Sequence, residues 1–415
     1  MTTTRTPRRW MVLAAALALL AAACGDDDDG AAVPPDNESA TGEDQPVSVE
    51  VDEAALQAIL DQWRTDAGAF GATLSLRVPG HDDIHLASGI DDRDPQTPMP
   101  TDGTFGIGSV TKTFVAATAL QLVEEGKLSL GEPVAAWLPE LPHADQVTLA
   151  MLLGHTSGLG MRNDIEYVFS DLARAYTPEE ALAEQLQAPP VGQPGERFSY
   201  ANGGYIAVGL MIERVLDQDL ATVIAQRFTE SLSLLDTRMG DGSLKASLHA
   251  YDHPGPDYYD QPAPDAWIDF FDIPERSMTT AVFGAGNMIS SSADLLDWGE
   301  ALYSGEVLGP EATASMLEMR RPFPLDPATS QPAGTEPTRM HYGLGAEGFC
   351  LDPAGCGPDE VDLVGHGGSQ AGNRTLLTYH PASGTTLAFF ANRSRIPYEK
   401  MLPGLSALYE QLGLT

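Results

Sequence analysis

The sequence predicts an α+β fold, in which one sheet is assembled from both ends of the chain and an α-helical subdomain is inserted between its halves. Three observations carry this. A helix and two strands open the ordered part, residues 128–310 read as mainly helical, and strands followed by a helix close the chain. Hydrophobic residues make up 43% of the 415, enough for one large core or two smaller ones. Gly and Pro, 41 and 31 residues, stay below the level of a low-complexity chain.

The elements follow in order. Arg5, Arg8 and Arg9 form a basic start, and an apolar stretch runs from Trp10 to Ala23. Fourteen apolar residues are short for a bilayer span but suit an export signal. Ala21, Ala22 and Ala23 before Cys24 look like a bacterial lipobox, although Ala21 stands where Leu is usual. The expectation is a lipoprotein signal at 1–23 with Cys24 lipidated. An ordinary signal with another cut is the alternative, and Arg8-Arg9 leaves open a twin-arginine route. Residues 24–50 hold nine acids, no base and three prolines, which predicts a solvated acidic tether. No EF-hand spacing follows Asp26 to Asp29, so calcium binding is not inferred.

A single domain is expected over 51–415. Leu56, Ile59, Leu60 and Trp63 recur at helical spacing. Thr73–Val78 and Ile84–Gly89 read as strands around the turn 79–83. The apolar run Phe114 to Val123 predicts a buried helix stopped by Gly126. Proline-rich loops are expected at 187–196 and 253–264, and Ser291 to Asp294 resembles a capping box before Leu295, Leu296 and Trp298. Val361–Val364, Thr375–His380 and Thr385–Ala391 read as strands, and Pro397 to Leu412 as the last helix.

Charge bounds the partners. Lys and Arg total 23 against 59 acids, a net −36, which leaves no electrostatic footprint for nucleic acid or an anionic membrane surface. Membrane contact is therefore expected through a lipid anchor only, and the protein is expected to act as a monomer. Besides Cys24, Cys350 and Cys356 flank a Pro-Ala-Gly turn. In an exported chain they would pair as a disulfide; otherwise they are two separate buried thiols.

Chemistry is concentrated at three places. Lys112, one of four lysines, stands three residues after Ser109 at the start of the buried helix. On a helix these side chains share a face, so a neutral Lys112 could take the Ser109 proton. Desolvation by Phe105 and Phe114 would favour that neutral form. The helix N-terminus adds N–H groups for a developing oxyanion. Tyr200-Ala201-Asn202 offers a phenol for proton relay and an amide for a substrate carbonyl. His366-Gly367-Gly368-Ser369 follows a strand; its glycines would let substrate lie against the strand edge, and the Ser369 N–H would complete an oxyanion hole. Each signal alone is weak.

In this order the three resemble the motifs of the serine β-lactamase and penicillin-binding-protein superfamily, most of all class C β-lactamases, DD-carboxypeptidases and related esterases. The stretches 105–112, 152–159 and 285–291 are similar to theirs as well. The resemblance covers about 52–412 and implies the β-lactamase/transpeptidase-like fold: an antiparallel sheet flanked by helices, with an all-α subdomain. It implies an acyl-enzyme serine hydrolase needing no metal or organic cofactor, acting on a small-molecule or peptidoglycan-peptide substrate. By position, Ser109 is the nucleophile, Lys112 and Tyr200 share the acid/base role, and Asn202 binds the substrate amide. The Ser109 and Ser369 N–H groups form the oxyanion hole, Gly367, Gly368 and Ser369 line the substrate, and His366 stands where many members have lysine, near Tyr200.

Two departures bear on the substrate. Members that recognise a carboxylate often have Thr or Ser where Gly367 stands, and some place an arginine on the preceding strand, where 345–347 supplies none. Both favour an ester or uncharged amide over D-Ala-D-Ala or a penicillin, although the Ser369 hydroxyl could compensate. The alternative is a catalytically silent sensor of penicillin or peptidoglycan, against which all nucleophile-motif residues are present. An α/β-hydrolase elbow at Gly367-x-Ser369 needs a following helix, whereas 373–380 reads as a strand. A metal site at His249 and His253 is opposed by Pro254 and by the ordinary, solvated character of the carboxylates nearby.

Overall fold

The computed structural model describes residues 51–162, 166–243, 245–253, 267–319, 321–322, 340–352, 354–356 and 360–415. The signal 1–23, Cys24 with the tether 24–50, and residues 254–264 of the second proline-rich loop lie outside the described residues.

The strands are β1 (Gly71–Arg77), β2 (Ile84–Arg93), β3 (Gln96–Pro98), β4 (Thr104–Gly106), β5 (Arg238–Met239), β6 (Tyr251–Asp252) and β7 (Ile268–Asp269). They continue as β8 (Met288–Ser291), β9 (Arg321–Pro322), β10 (Met340–Tyr342), β11 (Glu347–Phe349), β12 (Leu363–Gln370), β13 (Asn373–His380) and β14 (Thr385–Ala391). The helices are α1 (Glu53–Ala67), α2 (Thr111–Glu124), α3 (Leu149–Leu153), α4 (Glu166–Phe169), α5 (Pro178–Gln185) and α6 (Asn202–Leu216). After them come α7 (Leu220–Ile224), α8 (Arg276–Thr280), α9 (Ser292–Tyr303), α10 (Pro310–Leu317) and α11 (Tyr398–Gln411).

Among the described residues the main sheet runs β3-β2-β1-β14-β13-β12-β11-β10-β9. Every neighbouring pair in it is antiparallel. The N-terminal strands join the C-terminal ones where β1 meets β14, with Leu74 opposite Phe389. Successive strand residues face opposite sides. Leu376 and Phe389 therefore pack with Leu56, Leu60, Trp63, Leu405 and Leu408 of α1 and α11, where Trp63 stacks on Phe389 at 4.0 Å. Their neighbours Leu377 and Phe390 turn to α2, α6 and α9, where Phe105 stacks on Phe390 at 4.3 Å. Both faces are covered, which is why β14 is buried throughout. This is the α+β sandwich with an inserted helical part that the sequence order predicts.

Helix ends explain themselves locally. Asp52 caps α1 by accepting from the Ala54 and Ala55 N–H groups, and Gly68 ends it at φ +65. Ser291 caps α9 through the Asp294 N–H. The apolar helix is α2, buried nearly all round and followed by Gly126 at φ +69.

Two expectations need correction. The mainly helical middle contains β8, which pairs with β4 and β5 in a small sheet, and the pair β6–β7. A short buried run such as Met288–Ser291 has no periodicity to separate strand from helix. The strand expected at 361–364 is β12, reaching Gln370, so His366 to Ser369 lie on the strand rather than after it. Glycines 365, 367 and 368 depress β-propensity and hid it. The short strands β3, β9, β10 and β11 had no sequence signal of their own.

Candidate active site

Between β4 and α2 the chain makes one 3-10 turn, Gly108–Val110, that lifts Ser109 to the surface of the core. Ser109 is half-buried, whereas Lys112, one helical turn on, has no exposed surface. Lys112 Nζ lies 2.9 Å from Ser109 Oγ, 3.0 Å from Asn202 Oδ1 and 2.6 Å from the Ala285 carbonyl. The last two can only accept. A neutral amine therefore spends both N–H bonds on them and keeps its lone pair for the Ser109 O–H. Burial pulls the ammonium down to about 7, with the Glu347 carboxylate working the other way. The rings against Lys112 belong to Tyr200 and Tyr205, 4.9 and 5.5 Å from Nζ. Phe105 and Phe114, expected to desolvate it, instead stack on Phe390 and Trp298, because the helix turns Phe114 to another face.

Ala201 is the N-cap of α6, so Asn202 opens the helix and Tyr200 stands just before it. Burial pushes the Tyr200 phenol well above its ordinary range; the Glu347 charge adds to the shift and the neighbouring Ser109 hydroxyl opposes it.

The third segment is the free edge of β12. Its Gly367 N–H turns away from β13 and donates to Glu347 Oε2 at 2.7 Å. Edges alternate along a strand, so the Ser369 N–H points the same way. There it meets the nucleophile turn: a Cβ on Gly108, whose φ is +50, would fall 2.6 Å from Ser369 N. A Cβ on Gly368 would fall 2.0 Å from the Ile107 carbonyl. Glycine at these points lets the two backbones touch and sets the Ser109 and Ser369 N–H groups on one patch. The Ser369 side chain is exposed. At Gly367 a Cβ would lie 2.3 Å from the Tyr398 hydroxyl, which already fills the space of a Thr or Ser side chain.

His366 is fully buried and bonds Tyr342 rather than Ser109 or Tyr200. Burial lowers its pKa, opposed by Glu347. Sequence reasoning missed four residues of this site: His155, Tyr342, Glu347 and Tyr398. His155 lay in the stretch 152–159 and was given no role; its positive φ of 55 was invisible in the sequence. The others are ordinary residues brought in by β10, β11 and α11.

Away from the site, the Cys350 and Cys356 sulfurs are bonded to each other. His249 meets Asp92 and Asp269 rather than His253, with Nδ1 2.6 Å from Asp269 Oδ2 and Nε2 3.8 Å from Asp92 Oδ2. The imidazole is already hydrogen-bonded there, between two partly buried carboxylates. The segment after Ser369 is the strand β13, which excludes the hydrolase elbow.

Known proteins are similar to this chain in sequence and fold. An esterase, EstB of Burkholderia gladioli, is 30% identical over 292 residues, covering 63% of this chain and 72% of its own. Penicillin-binding protein 4 of Amycolatopsis lactamdurans is 30% identical over 357 residues, 82% of this chain and 85% of its own. The structure of D-amino acid amidase from Ochrobactrum anthropi SV3 with L-phenylalanine superposes with a TM-score of 0.73. At 22% identity it covers 87% of this chain and 99% of that one, a likeness of fold. The profile of the Beta-lactamase family matches residues 56–410. The chain belongs to that family, within the serine hydrolase superfamily of β-lactamases and penicillin-binding proteins.

Proposed function

We propose that the protein is an exported, lipid-anchored hydrolase that cleaves small uncharged esters or amides through an acyl-enzyme on Ser109. The observation that carries the chemistry is the enclosed Lys112 Nζ, 2.9 Å from the Ser109 oxygen. Neutral Lys112 accepts the Ser109 proton as Oγ bonds to the substrate carbonyl carbon. The carbonyl oxygen takes the negative charge between the Ser109 and Ser369 N–H groups. Collapse breaks the bond to the leaving group, which receives the proton from Lys112 through Tyr200. Water then attacks the acyl-enzyme, losing its proton to the same pair, and Ser109 is regenerated. Asn202 holds Lys112 and presents its amide to the substrate. Tyr398 in the place of a Thr or Ser hydroxyl, and an acid rather than an arginine on β11, support an uncharged substrate. The esterase among the relatives supports it as well.

One observation favours a second reading, in which the substrate carries a carboxylate. Arg374 lies directly across from Ser369 in the β12–β13 register, its guanidinium 4.4 Å over the Tyr398 ring. A D-Ala-D-Ala peptide or a β-lactam would then meet Arg374 and the Ser369 hydroxyl.

The test is a side-by-side assay on p-nitrophenyl acetate, nitrocefin and a D-Ala-D-Ala peptide. A fluorophosphonate label reports the nucleophile. Ser109→Ala is expected to abolish turnover and labelling; labelling that survives removes Ser109 from its role. A preference for p-nitrophenyl acetate that Arg374→Gln leaves unchanged supports the first reading. A preference for the carboxylates that this variant lowers about tenfold supports the second.

A further inference from the structure

Behind Ser109 three buried side chains form a continuous path from the tyrosine–asparagine segment to β12. His155, Tyr342 and His366 are 1%, 2% and 0% exposed. The Ala201 N–H donates to His155 Nδ1 at 3.2 Å. His155 Nε2 lies 3.2 Å from the Tyr342 hydroxyl, which lies 3.0 Å from His366 Nε2. His366 Nδ1 ends the path 2.6 Å from the Gly367 carbonyl.

The two backbone ends give this path a direction. An amide N–H only donates, so His155 Nδ1 holds the lone pair and its ring proton sits on Nε2, aimed at Tyr342. A carbonyl only accepts, so His366 carries its proton on Nδ1 and presents a lone pair at Nε2. Tyr342 must then receive from His155 and donate to His366. Tyr205 also neighbours Tyr342, but its own proton goes to the Leu153 carbonyl at 2.8 Å, so it could compete as an acceptor only. Were the Tyr342 proton given to Tyr205, a fully buried imidazole nitrogen would lose the donor facing it. All four bonds are made in one arrangement, with both rings neutral. Burial disfavours the charged form of both.

We propose that Tyr342 is a positioning residue, the middle of a one-way hydrogen-bond chain from Ala201 to Gly367 that fixes the distance between the Tyr200–Asn202 segment and the strand bearing the Ser369 N–H. Ala201 sits between Tyr200 and Asn202, and Gly367 two residues before Ser369. The helical subdomain and the sheet are thus joined at the point where their spacing sets the geometry of the reacting groups. His155 holds its end from a left-handed backbone, φ +55. The direction of the chain stands on the hydrogen bonds alone; its positioning role rests on the acyl-enzyme reading above.

Two measurements on the full chain decide it. In a protein labelled with 15N-histidine and assigned by single His→Gln variants, His155 is expected as the Nε2–H tautomer and His366 as the Nδ1–H tautomer at neutral pH. The opposite tautomer at either ring overturns the direction, whether or not any activity is found. Tyr342→Phe keeps the ring against His155 and Tyr200 but removes the oxygen. It is expected to lower kcat on p-nitrophenyl acetate about 10- to 100-fold while KM stays within about threefold. Wild-type kcat in the folded variant overturns the positioning role. Absent fluorophosphonate labelling of the unmodified protein would instead sink the acyl-enzyme reading and leave the tautomers standing. If Tyr342→Phe does not fold, His366→Asn, which removes the far acceptor, is held to the same split between kcat and KM.

Discussion

Lys112 is the residue on which the chemistry turns, and its behaviour follows from where its amine is kept. With no exposed surface, the ammonium is destabilised and its pKa falls to about 7. A base must be unprotonated, so kcat/KM on a neutral ester is expected to rise with pH around a midpoint near 7. Below that pH Lys112 has no lone pair; above it the amine is free to accept. Lys112→Arg keeps the charge and cannot give it up, and a loss of about 10²- to 10⁴-fold is expected. A pH–rate profile flat from 6 to 8, or wild-type turnover in the variant, would show that Tyr200 alone does the work. The pairing of Ser109 with Lys112 was legible because neighbours along a helix start are neighbours in space, whereas Tyr200 and Asn202 were legible only through the order of motifs that resembles a known family. Glu347 and Tyr398 were not, since their contacts with Gly367 are made across strands and from the last helix. Gly367 itself read as a missing hydroxyl, and the structure gives the reason in the Tyr398 oxygen that occupies its space.

At the scale of elements, α1 and α11 show how closely packed faces constrain sequence. A Cβ on Gly404 would fall 2.3 Å from the Trp63 ring, which is itself held by its stack on Phe389. Gly404→Ala would gain about 1 kcal/mol of helix propensity. Overpacking against a ring that cannot retreat costs about 1–3 kcal/mol, so the clash is expected to win. Urea unfolding should give a net loss of up to about 2 kcal/mol; a more stable variant would mean that the helices separate freely. The helices α1, α2, α9 and α11 were legible by apolar spacing and end signals, the inserted ones only as a mainly helical stretch, and β1, β13 and β14 by their β-branched and aromatic content. The strand β12 was cut short because glycine carries no strand signal. Its glycines are there to let the nucleophile turn lie on its edge, a requirement set by a partner about 260 positions away in sequence.

For the whole molecule, location and charge belong together. The basic start, the apolar run to Ala23 and Cys24 support a lipid anchor, and a net charge of −36 makes electrostatic membrane binding a poor substitute. In a bacterial host that processes lipoproteins, the chain is expected in the membrane fraction with labelled palmitate incorporated, and Cys24→Ser should abolish the label. Palmitate retained by that variant would place the lipid elsewhere or reject it. By itself the sequence determined the α+β order and the main helices, because these are written in local periodicity, and it held the three motifs whose roles are what their resemblance to a known family implies. Only the tertiary structure decided what Gly367 faces, which rings desolvate Lys112, and that His155, Tyr342 and His366 form one directed path. Those facts depend on which distant segments the two-faced sheet brings together. Burial there makes each donor find an acceptor, a constraint that no single stretch of the chain contains.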